Sequence, residues 1–383
     1  MLIIADENIP YVKEGFAEFG DVITVHGRKI TKDTIKNADI LLVRSITKVN
    51  ADLLEGTSIR FVGTATIGYD HIDLNYLNYK GITFSSAPGS NANSVAEYVV
   101  SGLLQLERNH GYKLQGKKIG IVGVGNVGSR VAKKAPALGL FPVLCDPPLA
   151  EKMNNHPLFE SFENILDCDI ITFHVPLEKT GQYPTYHIAD KNFFAKLKKG
   201  TVLINTSRGA VVETESLLNA IEQKIIPYSI IDVWENEPNI NIDLLKKVTI
   251  GTPHIAGYSF DGKVNGTYQL YVSLCRFLNR TPTWDYKKNL PDPPYKEIPV
   301  SANEHIPLHS IVHKIYDITS DDKALREILK KDENERGPFF DLLRKNYPVR
   351  REFHNTSIRL NQDNPILANQ LERLGFKVIR DKK

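Results

Sequence analysis

Residues 118–128, KIGIVGVGNVG, run an apolar strand pattern directly into glycines at 123, 125 and 128. No other stretch limits the possible folds as much, because each glycine does something that a side chain would prevent. Gly123 permits a tight turn, Gly125 lets backbone approach a pyrophosphate, and Gly128 lets a helix pack closely on the preceding strand. The helical stretch that opens at Val127 would offer free N–H groups and the positive end of its dipole to an anion. The glycine spacing is common by itself, and its place between a strand and a helix is what gives it meaning. The next apolar run, FPVLCD, ends in Asp146. A carboxylate there would accept hydrogen bonds from ribose hydroxyls and repel a 2′-phosphate, which favours NAD over NADP. Pro136 lies within the helical stretch and predicts a kink or an early helix end.

The pattern around this turn is α/β. Before it, LIIA (2–5), ILLVR (40–44), IRFVGTA (59–65) and ITFSSA (82–87) read as buried strands, with YVKEGFAEFG and NADLLEG as intervening helices. A long helix is expected through NSVAEYVVSGLLQLERNH, with Asn93 or Ser94 as its N-cap. A second series follows in KKIGIV, FPVLCD, DIITFHV, TVLINTS, SIIDVW and VTIGT. Strand and helix in alternation specify parallel sheets. From about residue 285 the proline-rich KKNLPDPPYKEIPV reads as a linker or extended arm. Beyond it, DDKALREILKK and PFFDLLRKN read as helices, and REFHNTSIRL and FKVIRD as strands, which suggests a small α+β module.

Composition narrows the function. A chain of 383 residues exceeds one core, so two or three domains are expected. The formal charge of +3 is too small, and its lysines and arginines too scattered, to argue for nucleic acid. No apolar run approaches the roughly 20 residues of a bilayer span. The start, MLIIADENIP, lacks the flanks of a signal peptide, so a cytoplasmic protein is expected. Cys145, Cys168 and Cys275 are widely spaced and without a histidine cluster, which indicates neither disulfides nor a metal site.

Three later strands end in polar residues: Arg208 after TVLINTS, Asp232 and Glu237 in SIIDVWENEP, and His254 after VTIGTP. Ligands of an open parallel sheet bind beyond the carboxyl ends of its strands. Singly, these side chains could be a surface charge, a solvated acid and a structural histidine. Together they form a chemical set. An imidazole exchanges a proton near neutral pH, a carboxylate on its far nitrogen orients the ring, and a guanidinium grips a carboxylate with a bidentate fork. That set suits oxidation of a 2-hydroxy acid. Arg44 ends ILLV and is read either as part of an anion site or as a surface arginine. Arg350 and Arg351 could reach across a dimer or form a structural ion pair with Glu352 or a neighbour.

Through GTATIGYDHID, NSVAEYVV, GVGNVG, INTSRGAVV, DVWENEP and PHIAGYS, residues 1 to about 285 resemble the D-isomer-specific 2-hydroxyacid dehydrogenase family. The resemblance implies two Rossmann-like, doubly wound parallel-sheet domains with a cleft between them. One is a split substrate-binding lid, residues 1–93 with 257–284, and the other an NAD-binding domain, residues 94–256. It implies Arg208, Glu237 and His254 as catalytic residues. Expected cofactor contacts are Gly123, Gly125, Asn126, Val127, Gly128, Asp146, Val175, Thr206, Ser207, Asp232 and Gly257, and expected substrate contacts are Ser45, Thr66 and Tyr258. ADENIP, LLVRSITKVN, CDPP and LRKNYPVRREF resemble one subgroup, which implies a small phosphorylated 2-hydroxy acid as substrate and a homodimer built through residues 285–383. Ser90 in APGSNA stands where that subgroup usually has cysteine, and Val175 where a polar residue often neighbours the cofactor. Another D-2-hydroxyacid dehydrogenase, or a non-catalytic NAD-sensing interaction protein, would share much of this pattern.

Overall fold

The first sheet is wholly parallel and consists of β1 (Leu2–Asp6), β2 (Asp21–Val25), β3 (Ile40–Val43), β4 (Phe61–Thr64) and β5 (Thr83–Ser85), in the order β2-β1-β3-β4-β5. Parallel strands need crossovers that cover both faces, and the central strands are accordingly apolar at successive positions. Ile3, Ile40, Leu42 and Phe61 join one apolar cluster with Leu270, Tyr271 and Leu274 of the helix Phe260–Phe277. Their strand neighbours Ile4, Leu41, Val43 and Val62 join another with Ile35, Leu53 and Leu77. The sequence pattern does not mark the edge strand β2, which carries exposed Asp21 and Ile23 and has no buried run.

The second sheet, also parallel, contains β6 (Lys118–Val122), β7 (Phe141–Cys145), β8 (Ile170–Phe173), β9 (Val202–Asn205), β10 (Tyr228–Ile231) and β11 (Ile250–Gly251), in the order β11-β10-β9-β8-β6-β7. All six match the expected runs. The strand order reverses beside β6, so the turn that leaves β6 sits at the topological switch point, where ligands of such sheets bind. Pro136 acts as expected: the α-helix Asn126–Lys134 stops short and a 3₁₀ turn, Ala135–Leu138, takes the proline at its start.

The long helix runs from Ala92 to His110. This corrects the expected cap. Asn93 and Ser94 lie inside the helix, where Asn93 Nδ2 donates to Glu97 Oε1 at 2.8 Å and to Glu352 Oε2 at 2.7 Å, and Ser94 Oγ donates to the Ala256 carbonyl at 2.8 Å. Tertiary bonds have claimed both candidate caps.

A third parallel sheet, β12 (Glu297–Val300), β13 (Ser357–Leu360) and β14 (Lys377–Arg380), is built from the C-terminal segment. β12 falls within the stretch read as linker, because its alternation of exposed Glu297 and Pro299 with buried Ile298 and Val300 is hidden among prolines; an edge strand tolerates Pro299. The structure, a computed structural model, describes residues 1–154, 156–300, 308–361 and 364–380. The chain divides into two compact units, residues 1–91 with 259–291 and residues 92–258 with 292–383. The C-terminal segment, with its own three-stranded sheet, packs within the second unit. Ile298, Val300, Phe353 and Ile358 share a core with Val99, Ile119 and Leu140, while Leu325, Ile328 and Phe340 share one with Leu203 and Trp234.

Arg350 and Arg351 are both buried. Within the chain Arg350 donates to Ser94 Oγ and, at 2.6 Å, to the Ala256 carbonyl in place of the expected ion pair, and its guanidinium lies 4.1 Å from the centre of the Tyr316 ring. Arg351 donates to Asn355 Oδ1 at 2.7 Å. Because Phe340 is fully buried in the core shared with Trp234, Phe340→Ala should destabilise this unit by about 3–5 kcal/mol. Denaturant unfolding followed by tryptophan fluorescence checks this, and a loss below about 1 kcal/mol would contradict the shared core.

Candidate active site

The turn after β6 has the features a dinucleotide requires. Gly123 has φ +88°, and a Cβ on it would meet the His174 carbonyl oxygen at 2.6 Å and Val175 Cγ1 at 2.8 Å. A Cβ on Gly128 would lie 1.9 Å from the Gly123 carbonyl oxygen, so only glycine lets the helix approach the strand this closely. At Gly125, by contrast, a Cβ would meet no protein atom within 4 Å, which leaves that side of the turn open. Gly125 precedes Asn126 and Val127, which open the helix. Asp146, at the end of β7, is tied to this turn: Oδ2 accepts from Val124 N at 2.8 Å and Oδ1 caps the next helix from Leu149 N at 3.0 Å. Val175 borders the turn through the space Gly123 leaves. These residues fit a bound NAD, with the helix start for the pyrophosphate and Asp146 for the ribose.

After β9 the chain turns around buried Asn205. Its Oδ1 accepts from Ser207 N at 3.1 Å and Ser207 Oγ at 2.8 Å, while its Nδ2 donates to the Arg208 carbonyl at 3.0 Å. This sets the backbone from Thr206 to Arg208, and Arg208 Nη1 donates to the Ser207 carbonyl at 2.8 Å. A Cβ on Gly209 would overlap the Trp234 carbonyl at 2.0 Å. Glycine therefore brings the turn carrying Arg208 against the loop carrying Glu237. His174 supports Thr206: its two ring nitrogens lie 3.0 Å from Thr172 Oγ1 and 3.1 Å from Thr206 Oγ1. Burial lowers the His174 pKa to about 3, so it is neutral at physiological pH.

His254 and Glu237 form the expected pair, with His254 Nδ1 2.7 Å from Glu237 Oε2. Glu237 Oε1 accepts from Trp234 N at 2.9 Å. Burial pushes the Glu237 carboxyl up, but the His254 charge and hydrogen bond, the Trp234 amide and the Arg344 charge outweigh it and hold the pKa below its ordinary 4.5. His254 has φ +58°, a left-handed conformation that a non-glycine residue adopts at a cost of about 1–3 kcal/mol. It is held there by hydrogen bonds from its N–H to the Asp232 and Thr252 carbonyls, at 2.8 and 3.0 Å.

Asp232 binds the same loop with its side chain. Oδ1 accepts from Thr252 Oγ1 at 2.6 Å and Ile255 N at 2.8 Å, and Oδ2 from Ala256 N at 3.0 Å. Burial raises its pKa even though the His254 charge, the Thr252 hydroxyl and the two amides all pull it down. Gly257 lies in the following turn, and Tyr258 N donates to the Ile255 carbonyl at 2.8 Å.

In the other unit, Arg44 and Ser45 follow β3, and Thr66 follows β4. Arg44 Nη1 donates to the Asn8 carbonyl at 2.9 Å, and Asn8 N donates to Asp6 Oδ1 at 2.9 Å. Thr66 Oγ1 donates to the Gly68 carbonyl at 2.8 Å and lies 2.7 Å from Thr64 Oγ1, which in turn is 3.1 Å from His71 Nε2. The second unit thus brings together the glycine turn, Asp146, Val175, Thr206, Ser207, Arg208, Asp232, Glu237, His254, Gly257 and Tyr258 on neighbouring strand ends. Sequence reasoning missed Asn205 and His174. An asparagine and a histidine at the carboxyl ends of predicted strands are a signal that could have found them.

Residues 90–256 match the family model described as D-isomer specific 2-hydroxyacid dehydrogenase, NAD binding domain, and residues 289–375 match a domain of unknown function, DUF3410. The chain is 43% identical to an erythronate-4-phosphate dehydrogenase of Yersinia enterocolitica, over 98% of this chain and 99% of that protein. It is 44% identical to an erythronate-4-phosphate dehydrogenase of Proteus mirabilis, with the same coverage of both. Among solved structures it is similar to a D-lactate dehydrogenase from Aquifex aeolicus complexed with NAD and lactic acid, with TM-score 0.61, 24% identity and coverage of 73% of this chain and 96% of that one. Among the described residues no group of three or more His, Cys, Asp or Glu could hold a metal, and no helix is long and apolar enough to cross a membrane.

The depressed Glu237 pKa fixes the sign of a stability effect. Folding favours the ionised carboxyl, so this contribution is present above the unfolded value near 4.5 and is lost as pH falls through the lower folded value. The Tm difference between wild type and Glu237→Gln should therefore shrink from about pH 6 to about pH 3. Thermal melts at a series of pH values read it directly. A gap that stays constant with pH would contradict the pairing.

Proposed function

We propose that this chain, which belongs to the erythronate-4-phosphate dehydrogenase family of D-isomer specific 2-hydroxyacid dehydrogenases, oxidises 4-phospho-D-erythronate with NAD. The products are 2-oxo-3-hydroxy-4-phosphobutanoate, NADH and a proton, and the step belongs to pyridoxal 5′-phosphate biosynthesis. The observation that carries the reading is the His254–Glu237 pair, 2.7 Å apart, on a strand end neighbouring the Arg208 turn in a unit with a dinucleotide-binding glycine turn.

NAD, when bound, supplies the acceptor for the hydride from the substrate C2. The protein supplies the rest. Glu237 accepts from Nδ1 of His254, which leaves Nε2 to take the proton of the 2-hydroxyl as that hydride departs. The Glu237 carboxylate then stabilises the imidazolium, as a fixed counter-charge in a partly buried site. Arg208 grips the substrate carboxylate through its planar fork and draws electron density from the developing carbonyl. We assign Ser45, Thr66 and Tyr258 to substrate contact, and Arg44 to the phosphate end.

We further propose a cytoplasmic homodimer. Three free, buried cysteines suit a reducing compartment, and the exposed Leu342 and Val349 of the C-terminal segment suit a covered face. Sedimentation should report twice the 43.1 kDa chain mass; a monomer would refute the assembly.

His254→Ala should lower turnover by about two to four orders of magnitude while NAD binding survives. Undiminished activity would remove His254 from the chemistry. The substrate itself is tested by following NADH absorbance with 4-phosphoerythronate, erythronate, D-glycerate and 3-phosphoglycerate, adding a 2-oxo acid to reoxidise retained cofactor. Activity on one of the others in preference to 4-phosphoerythronate would assign the chain to a different D-2-hydroxyacid.

A further inference from the structure

The C-terminal segment reaches the catalytic loop within its own chain. Arg344, in the last turn of the helix Glu333–Lys345, is followed at three-residue steps by Tyr347 and Arg350. Each of the three holds part of the loop after β11. Arg350 bonds the Ala256 carbonyl at 2.6 Å and, through Ser94 Oγ, the long helix that engages the same loop. Tyr347 meets the Tyr258 ring edge to face, with centroids 5.8 Å apart, and its hydroxyl donates to Asp321 Oδ2 at 3.0 Å. The Arg344 guanidinium lies 5.7 Å from the centre of the Tyr258 ring.

Arg344 also carries its charge beside Glu237. Its Nε is buried without a hydrogen-bond partner, and Asp341 Oδ1, one helical turn back, is 3.9 Å from its Nη1. A cation left this weakly compensated by its own helix gains most from the Tyr258 face and the Glu237 carboxylate. Arginine suits the place because its flat guanidinium stacks over a ring, which a lysine ammonium does less well.

We propose that Arg344 is a positioning residue for Tyr258 and the His254–Glu237 pair, so that the C-terminal segment is part of each chain's own active site as well as a surface for assembly. The proposal rests on the reading of the reaction given above. Arg344 acts by holding Tyr258 in one orientation and by keeping Glu237 the ionised partner of His254. Tyr347 and Arg350 hold the backbone and ring on which it works.

A double-mutant cycle tests this with R344M, Y258F and the double variant of the full chain, on whichever 2-hydroxy acid the wild type oxidises. R344M should lower kcat/KM by about 3- to 30-fold, as expected for loss of a cation held over an aromatic ring. NAD affinity and sedimentation should stay unchanged, and the loss in the double variant should fall clearly short of the product of the two single losses, because both changes cut the Arg344–Tyr258 link. If R344M does not fold, R344K keeps the stem and the charge, and the cycle run with it carries the same criterion. Losses that multiply in the double variant, wild-type kcat/KM in the Arg344 variant, or a loss explained by altered sedimentation would each overturn the proposal. An inactive wild type would instead sink the reading of the reaction, and the proposal with it.

Discussion

One buried carboxylate organises the loop that carries His254. Asp232 accepts from the Thr252 hydroxyl and from the amides of Ile255 and Ala256, while its own carbonyl takes the His254 N–H. Burying a charge is costly unless it is well hydrogen-bonded. Here those bonds all end within residues 252–256, so the cost of burial is offset by ordering the loop that carries the imidazole. The left-handed backbone of His254 persists because this network leaves it no alternative.

The surrounding side chains extend the same logic. Trp234 Nε1 donates to the Thr252 carbonyl at 2.9 Å, Tyr98 meets the Thr252 hydroxyl at 2.7 Å, and Arg350 takes the Ala256 carbonyl. The loop is thereby gripped from its own sheet, from the long helix and from the C-terminal segment. A site's geometry depends in general on residues beyond those that touch the reacting atoms. Asn205 and His174 do for Thr206, Ser207 and Arg208 what Asp232 does for His254.

Much of this arrangement is legible in the sequence. The six strand runs of the second sheet, the glycine turn and the shortened helix at Pro136 follow from local pattern and stereochemistry. The failures have physical causes. β2 is an edge strand without a buried run, and β12 hides its alternation among prolines. Asn93 and Ser94 look like helix caps but lie inside the helix, where Glu97, Glu352 and Ala256 engage them. Arg350 looks like an ion-pair residue because nothing near it in sequence shows that Ser94 and Ala256, 256 and 94 residues away, are its partners.

Local pattern suffices for the parallel α/β architecture, the dinucleotide turn and the placing of Arg208, Glu237 and His254 at strand ends, because periodicity, glycine spacing and strand-end residue types are properties of short stretches of chain. Packing settles the rest: which carboxylate oxygen meets His254 Nδ1, that Asp232 is spent on ordering the loop, and that residues 344–350 belong beside it. Those outcomes depend on which distant groups satisfy each buried donor and acceptor. No short stretch encodes such partners, since they meet only once the strands are in register and the helices are packed.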